Sequence, residues 1–358
     1  GMAVGSGAVV VLSLLGAPGA GAGRAPTVLP EVPVTPVDLA QDTANNSPAL
    51  AVDPTDARFV ALASRVDNPV FSCRLHLSGD GGRSWVPADP VPRLPAGAER
   101  CYAPEVGFDS RGVLYYLFAG LAGRGNRPVG VYLVTSSNQG RRFSAPRKLL
   151  GPNVYQVRMA IDRGRSGHDR IHMVWLAPAG PPSLGGLPAT PNPIVTSHSD
   201  DGGRSFSRPV PVSDPERARV VAPALAVGPD HAVHVLYYDL GRDAVDYQGL
   251  EGPTWGETWS LVVSSSTDGG GSFSRGVVVD DAVVPPERVL LIFTMPPPAL
   301  VAGPGRLYAA WHDGRNGDWD VFLRASADGG STWAPTVRLN DDPSGDGRHQ
   351  YLPRLGMA

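Results

Sequence analysis

Ser199-Asp200-Asp201-Gly202-Gly203-Arg204-Ser205-Phe206 decides the fold, because the chain writes nearly the same eight residues four more times. The other copies are Ser78-Gly79-Asp80-Gly81-Gly82-Arg83-Ser84-Trp85, Ser136-Ser137-Asn138-Gln139-Gly140-Arg141-Arg142-Phe143, Ser266-Thr267-Asp268-Gly269-Gly270-Gly271-Ser272-Phe273 and Ser326-Ala327-Asp328-Gly329-Gly330-Ser331-Thr332-Trp333. They recur about every sixty residues, and a fixed period of that size marks a repeat architecture. Each copy has a local logic. The Asp or Asn side chain accepts hydrogen bonds from its own turn, the fifth-position Gly supplies a positive φ, and the terminal aromatic folds back to bury about 150–250 Å². Asp80, Asn138, Asp201, Asp268 and Asp328 are therefore read as structural rather than as acids for catalysis.

Around each copy lie four short β-rich runs. An apolar segment comes first, such as Pro104-Glu105-Val106-Gly107-Phe108 or Pro223-Ala224-Leu225-Ala226-Val227, followed by a Gly/Asp turn and a second apolar run such as Leu307-Tyr308-Ala309-Ala310-Trp311. A third run alternates into the Ser of the motif, and the motif aromatic opens a fourth. Four strands per sixty residues match one propeller blade, and no window sustains a 3.6-residue apolar period. The fold class read from the sequence is all-β: a six-bladed propeller with five complete blades. Pro353-Arg354-Leu355-Gly356-Met357-Ala358 is read as the opening strand of a sixth, truncated at the C-terminus. Residues 27–44, which carry Val28, Leu29, Val32 and Val34, are the alternative source of missing strands.

Composition agrees. The 358 residues include 44 glycines and 37 prolines, yet 42% are apolar, which fits many turns around a packed core rather than disorder. Net charge is −3 and the isoelectric point about 6.3, so no global field draws nucleic acid or anionic lipid. Lys148 is the only lysine beside thirty arginines; so uniform a bias lowers the weight of any single arginine.

Residues 1–25 read as a signal peptide or a Gly/Ala-rich leader. Ala8-Val9-Val10-Val11-Leu12-Ser13-Leu14-Leu15 forms an apolar stretch too short to span a bilayer, and Ala20-Gly21-Ala22 follows it. Residues 26–44 form a Pro-rich linker, and 45–358 the propeller. Cys73 and Cys101 flank the first motif. In an exported chain an even count favours a disulfide, with two buried thiols as the alternative, so the protein is placed outside the cytoplasm.

The five Ser-x-Asp-x-Gly-x-x-aromatic copies resemble the Asp-box (BNR) repeats of the sialidase superfamily over residues 45–358. The resemblance implies a six-bladed propeller. It also implies, for the catalytic members, a Tyr nucleophile with a Glu partner, an Asp acid/base, and three arginines that clamp the substrate carboxylate through charge-assisted hydrogen bonds. Asp boxes also occur in xyloglucan-cleaving and sorting-receptor propellers. The superfamily's Arg-Ile-Pro signature is absent; the first repeat reads Ala63-Ser64-Arg65-Val66-Asp67-Asn68-Pro69.

Candidate site residues are those at the channel mouth formed by loops entering innermost strands and leaving second strands. On this reading Arg158, Arg315 and Arg354 form the clamp, and Tyr155 or Tyr351 stands near Glu105 as the nucleophile pair. Arg65, Asp67, Asp239, Arg242 and Asp313 complete a polar rosette. The competing reading makes Asp239/Arg242 and Asp313/Arg315 inter-blade ion pairs, repeated because the blades repeat. No cofactor and no metal site is expected: Asn340–Gly347 lacks EF-loop spacing, and His231 and His234 are not placed to share an ion. Tyr247, Trp255 and Trp259 form either an aromatic lip or a loop packed on its own blade. The leading functional expectation is glycan or surface-ligand binding on the channel face without sialidase chemistry. A sialidase-type glycoside hydrolase and a protein-binding scaffold are the alternatives.

Overall fold

The computed structural model describes Val34 and residues 45–68, 70–89, 92–123, 127–152, 154–164, 168–178, 191–241, 258–284 and 297–356. The leader, almost all of the Pro-rich linker, Arg242, Tyr247 and Trp255 lie outside them. The first blade holds β1 (Asn45–Asp53), β2 (Asp56–Val66), β3 (Ser72–Ser78) and β4 (Val86–Pro87). The second holds β5 (Arg100–Phe108), β6 (Leu114–Ala122), β7 (Arg127–Ser136) and β8 (Arg147–Leu150), and the third β9 (Tyr155–Asp162), β10 (Arg170–Leu176), β11 (Ile194–Ser199) and β12 (Val210–Pro211). The fourth holds β13 (Val220–Val227), β14 (Val233–Asp239), β15 (Trp259–Ser266) and β16 (Val277–Val283), and the fifth β17 (Ala299–Gly303), β18 (Arg306–Asp313), β19 (Asp320–Ser326) and β20 (Val337–Arg338). Each blade is an antiparallel four-stranded meander, and the innermost strands β1, β5, β9, β13 and β17 each pack against the next. The protein is an all-β propeller.

Central strands are sandwiched between neighbouring blades, so both of their faces are dry and they read as continuous apolar runs. Val233 through Tyr238 of β14 are all buried. One cluster joins blades one and two around Phe59, Phe108 and Phe118. Another joins two and three around Leu117, Leu133 and Trp175, and a third joins three to five around Trp259 and Trp311. Cys73 of β3 and Cys101 of β5 form a disulfide, with Cα atoms 5.6 Å apart. It ties the first blade to the second and closes a loop worth about 3 kcal/mol on the chain-entropy account.

The six-blade expectation is corrected: the described residues form five four-stranded sheets. Tyr351–Gly356 contains no strand, since among the described residues no second strand pairs with it to complete a ladder. It does share one backbone feature with the innermost strands. Ala103, Gln156 and Ala222 have φ of 46°, 52° and 55° at a bulge in β5, β9 and β13, and Leu352 has 59°.

The repeated turns are closed by hydrogen bonds from their own side chains. In the third blade the Ser199 hydroxyl donates to Asp201 Oδ1 (2.8 Å), which also accepts from Ser205 N–H (2.9 Å), while Ser205 Oγ donates to Asp201 Oδ2 at 2.6 Å. Asp80, Asp268 and Asp328 repeat this set. These bonds stabilise the charged form. Hydroxyl donation from Ser84 and Thr332 is the largest cause holding Asp80 and Asp328 down to about 2, and Asp201 and Asp268 are pulled below the usual carboxylate range likewise. Gly203 (φ 77°) needs its missing side chain twice over, because a Cβ there would lie 2.7 Å from Leu133 of the preceding blade.

Candidate functional site at the channel mouth

The bulges of the innermost strands aim side chains at the mouth. Tyr102 opposes Ala119 and Glu105 opposes Leu117. Three steps along β5 thus match two along β6, which puts Tyr102 and Glu105 on one face. The same shift sets Tyr155 opposite Leu176 and Arg158 opposite Val174. Tyr102–Glu105, Tyr155–Arg158 and Tyr351–Arg354 are therefore matching segments with a tyrosine at the first position and a charge at the fourth.

Glu105 and Arg158 meet across the blade boundary, with Nη1 donating to Oε1 at 2.6 Å. Arg158 Nε is buried and has no acceptor among the described residues. Arg65 is 5% exposed; its Nε and Nη2 donate to Asp67 at 2.5 and 3.1 Å, and its guanidinium lies over the Tyr102 ring at 4.8 Å and the Phe71 ring at 5.2 Å. Burial pushes the Tyr102 hydroxyl up to about 12, opposed by the positive charges of Arg65 and Arg158. Arg354 completes the group. Burial lowers its pKa first, the neighbouring Arg158 cation lowers it further, and Glu105 opposes the shift. Its side chain is nevertheless solvent-exposed. Its guanidinium makes no ion pair among the described residues, only a long contact to Pro353 O at 3.4 Å.

Other candidates are engaged elsewhere. Arg315 is held by Asp313 at 2.6 Å and by Asp280 of the fourth blade at 2.9 Å, and it covers the Phe322 ring at 4.5 Å. The three-arginine clamp of Arg158, Arg315 and Arg354 is thus not assembled, because two carboxylates fix Arg315 at a blade boundary. Asp239 pairs with Arg217. Tyr155 packs into the core of blades three to five, its hydroxyl has no hydrogen-bond partner among the described residues, and burial raises it to about 12. Tyr351 is 44% exposed, with its ring edge-on to Trp319 at 5.8 Å. Neither tyrosine is hydrogen-bonded to Glu105 among the described residues; Arg158 takes that carboxylate. Trp259, expected in a lip or loop, is a core residue of β15 beside Tyr238. His231 bonds Asp162 and His234 bonds Ser265, so the two do not converge.

Tyr102 was missed by the sequence reading, although Tyr102-Ala103-Pro104-Glu105 and Tyr351-Leu352-Pro353-Arg354 share a visible pattern that pointed to it. Arg217 and Asp280 carry no such signal, since their pairing crosses loops or blades.

No family model and no curated protein matches this chain. Solved structures do. A Dyadobacter fermentans protein of unknown function aligns with a TM-score of 0.56 and 15% identity over 85% of each chain. The Hadza microbial sialidase Hz136 aligns at 0.52 and 19% identity over 84% of this chain, which spans 60% of the sialidase's length. A Penicillium chrysogenum α-L-arabinanase, solved with arabinobiose, aligns at 0.53 and 13% identity, covering 87% and 89%. These likenesses are of fold. No helix among the described residues is long and apolar enough to cross a membrane.

Proposed function

We propose that the protein is an exported propeller that binds an acidic glycan at the channel mouth. One observation carries the reading: charge there is unbalanced. Glu105 offsets Arg158, Asp67 offsets Arg65, and Arg354 makes no ion pair with a carboxylate among the described residues. A ligand carboxylate supplies the missing charge, and the partly exposed guanidinium of Arg158 offers it further donors. The Asp-box resemblance, the sialidase and arabinanase among the structural neighbours, and the disulfide support a carbohydrate ligand met outside the cytoplasm.

Binding without hydrolysis is the favoured form. The tyrosine that does lie beside the arginines, Tyr102, is buried and held in its neutral state, which makes it a poor nucleophile. Calorimetric titration with N-acetylneuraminic acid and with galacturonic acid tests the reading. Saturable binding of either, weakened about tenfold or more in Arg354→Met, is the expected outcome. Equal affinity of wild type and variant for both acids refutes it. Release of a fluorophore from a sialoside by the wild-type chain would replace binding with hydrolysis.

A further inference from the structure

The opposite end of the blades carries a second feature that the mouth does not explain. Between the second and third blades, where turns join first to second and third to fourth strands, lies a groove of about 670 Å³. That volume falls within the usual range of small-molecule sites, about 300–1,000 Å³. Tyr115, Leu133 and Ile171 form its floor.

Its walls alternate in charge. Asp109 is paired with Arg111 at 2.8 Å, and Asp200 with Arg170 at 2.5 Å. Asp169 accepts backbone N–H groups from Ser110 (2.5 Å) and Gly164 (2.8 Å), while Asp201 is spent inside its own turn. Every carboxylate on the wall is thus engaged, as is Arg111. Two cations are not: Arg147 and Arg204 make no ion pair among the described residues, and Arg147 Nε is buried without an acceptor.

We infer that this groove is a second saccharide site, for a neutral, hydroxyl-rich ligand of one or two sugar rings. Four wall carboxylates interleave with the guanidinium groups, so the groove has no strong net field to hold an anion. Fixed acceptors and donors side by side suit hydroxyls, which both donate and accept. The unpaired guanidinium groups of Arg147 and Arg204 donate to sugar oxygens, and the accessible Val113 and Ala145 on the wall take ring C–H groups. The inference is independent of the channel mouth, which lies at the other ends of the strands.

The test is ligand-observed NMR titration of the full chain with cellobiose, maltose and mannobiose. At least one is expected to saturate in the millimolar range, with affinity falling about tenfold in Arg147→Met and unchanged in Arg354→Met. Should Arg147→Met fail to fold, Arg204→Ala on the exposed rim is expected to weaken the same sugar by a few-fold. The inference is overturned if none of the three saturates below about 20 mM, if neither groove variant changes the affinity, or if inorganic sulfate displaces the sugar, which would make the groove an anion site. Loss of sugar binding in Arg354→Met alone assigns the sugar to the mouth and likewise overturns it.

Discussion

The two ends of the blades solve different problems. At the turn end the Asp-bearing copies repeat the same bonds, with Ser266 and Asp268 doing in the fourth blade what Ser326 and Asp328 do in the fifth. At the mouth the innermost strands share a bulge but differ at the position that follows it: β5 contributes Glu105, β9 contributes Arg158, and β13 has Ala224. Repetition marks what every blade needs in order to fold. Divergence marks where a ligand meets a different residue from each direction.

The largest effect expected from breaking this contrast comes from the one mouth-end pair that is structural. Asp313 is fully buried, accepts from the Trp311 indole N–H at 2.9 Å and holds Arg315, which also bridges to Asp280. Asp313→Ala leaves that guanidinium half-neutralised at a blade boundary, and a loss of about 3–5 kcal/mol is expected in urea unfolding. A loss under about 1 kcal/mol would show the pair to be incidental.

Next in size is a pH effect. His312 is 2% exposed, neither ring nitrogen has a hydrogen-bond partner among the described residues, and burial lowers its pKa to about 4. The unfolded chain therefore binds a proton that the folded one refuses. Stability is full above the ordinary histidine value of about 6.5 and falls as pH drops towards 4, by about 3 kcal/mol in all. His312→Phe removes that slope relative to wild type; parallel stability curves for the two proteins would refute the assignment.

The sequence showed the turn end far more clearly than the mouth, and the reason is physical. A turn is local: Ser199, Asp201, Gly203 and Ser205 satisfy one another within seven residues, so period and chemistry both appear in the text of the chain. Mouth partners are remote, with Glu105 and Arg158 lying 53 residues apart, and nothing local tells that Arg315 is claimed by Asp280. The sixth blade failed for a related reason. Tyr351–Arg354 carries the bulge signature of an innermost strand, but a strand also needs a neighbour, which no signature supplies.

A smaller effect sharpens the turn-end half of the comparison. Asp201→Ala removes three acceptor contacts at an exposed site, which is expected to cost about 1–2 kcal/mol in thermal or urea unfolding. Asn138, whose turn has Arg142 where the others place Ser or Thr, accepts from Ser136 Oγ and Arg142 N–H only. Asn138→Ala should therefore cost less than Asp201→Ala; the reverse order would mean that the extra hydroxyl contact contributes nothing.

Arg354→Met should scarcely touch stability, changing it by less than about 0.5 kcal/mol, because the side chain is water-accessible and holds nothing in place. If anything, relieving its repulsion with Arg158 favours the folded state. A cation kept beside another cation, with no carboxylate paired to it among the described residues, is poorly explained as scaffold. Asp313 and Arg354 thus make opposite tests at one end of the molecule: the first substitution should strongly destabilise the fold, and the second should leave stability intact while weakening acid-glycan binding. A stability loss in Arg354→Met as large as that in Asp313→Ala would turn the mouth into one more piece of scaffold and erase the contrast between the two ends.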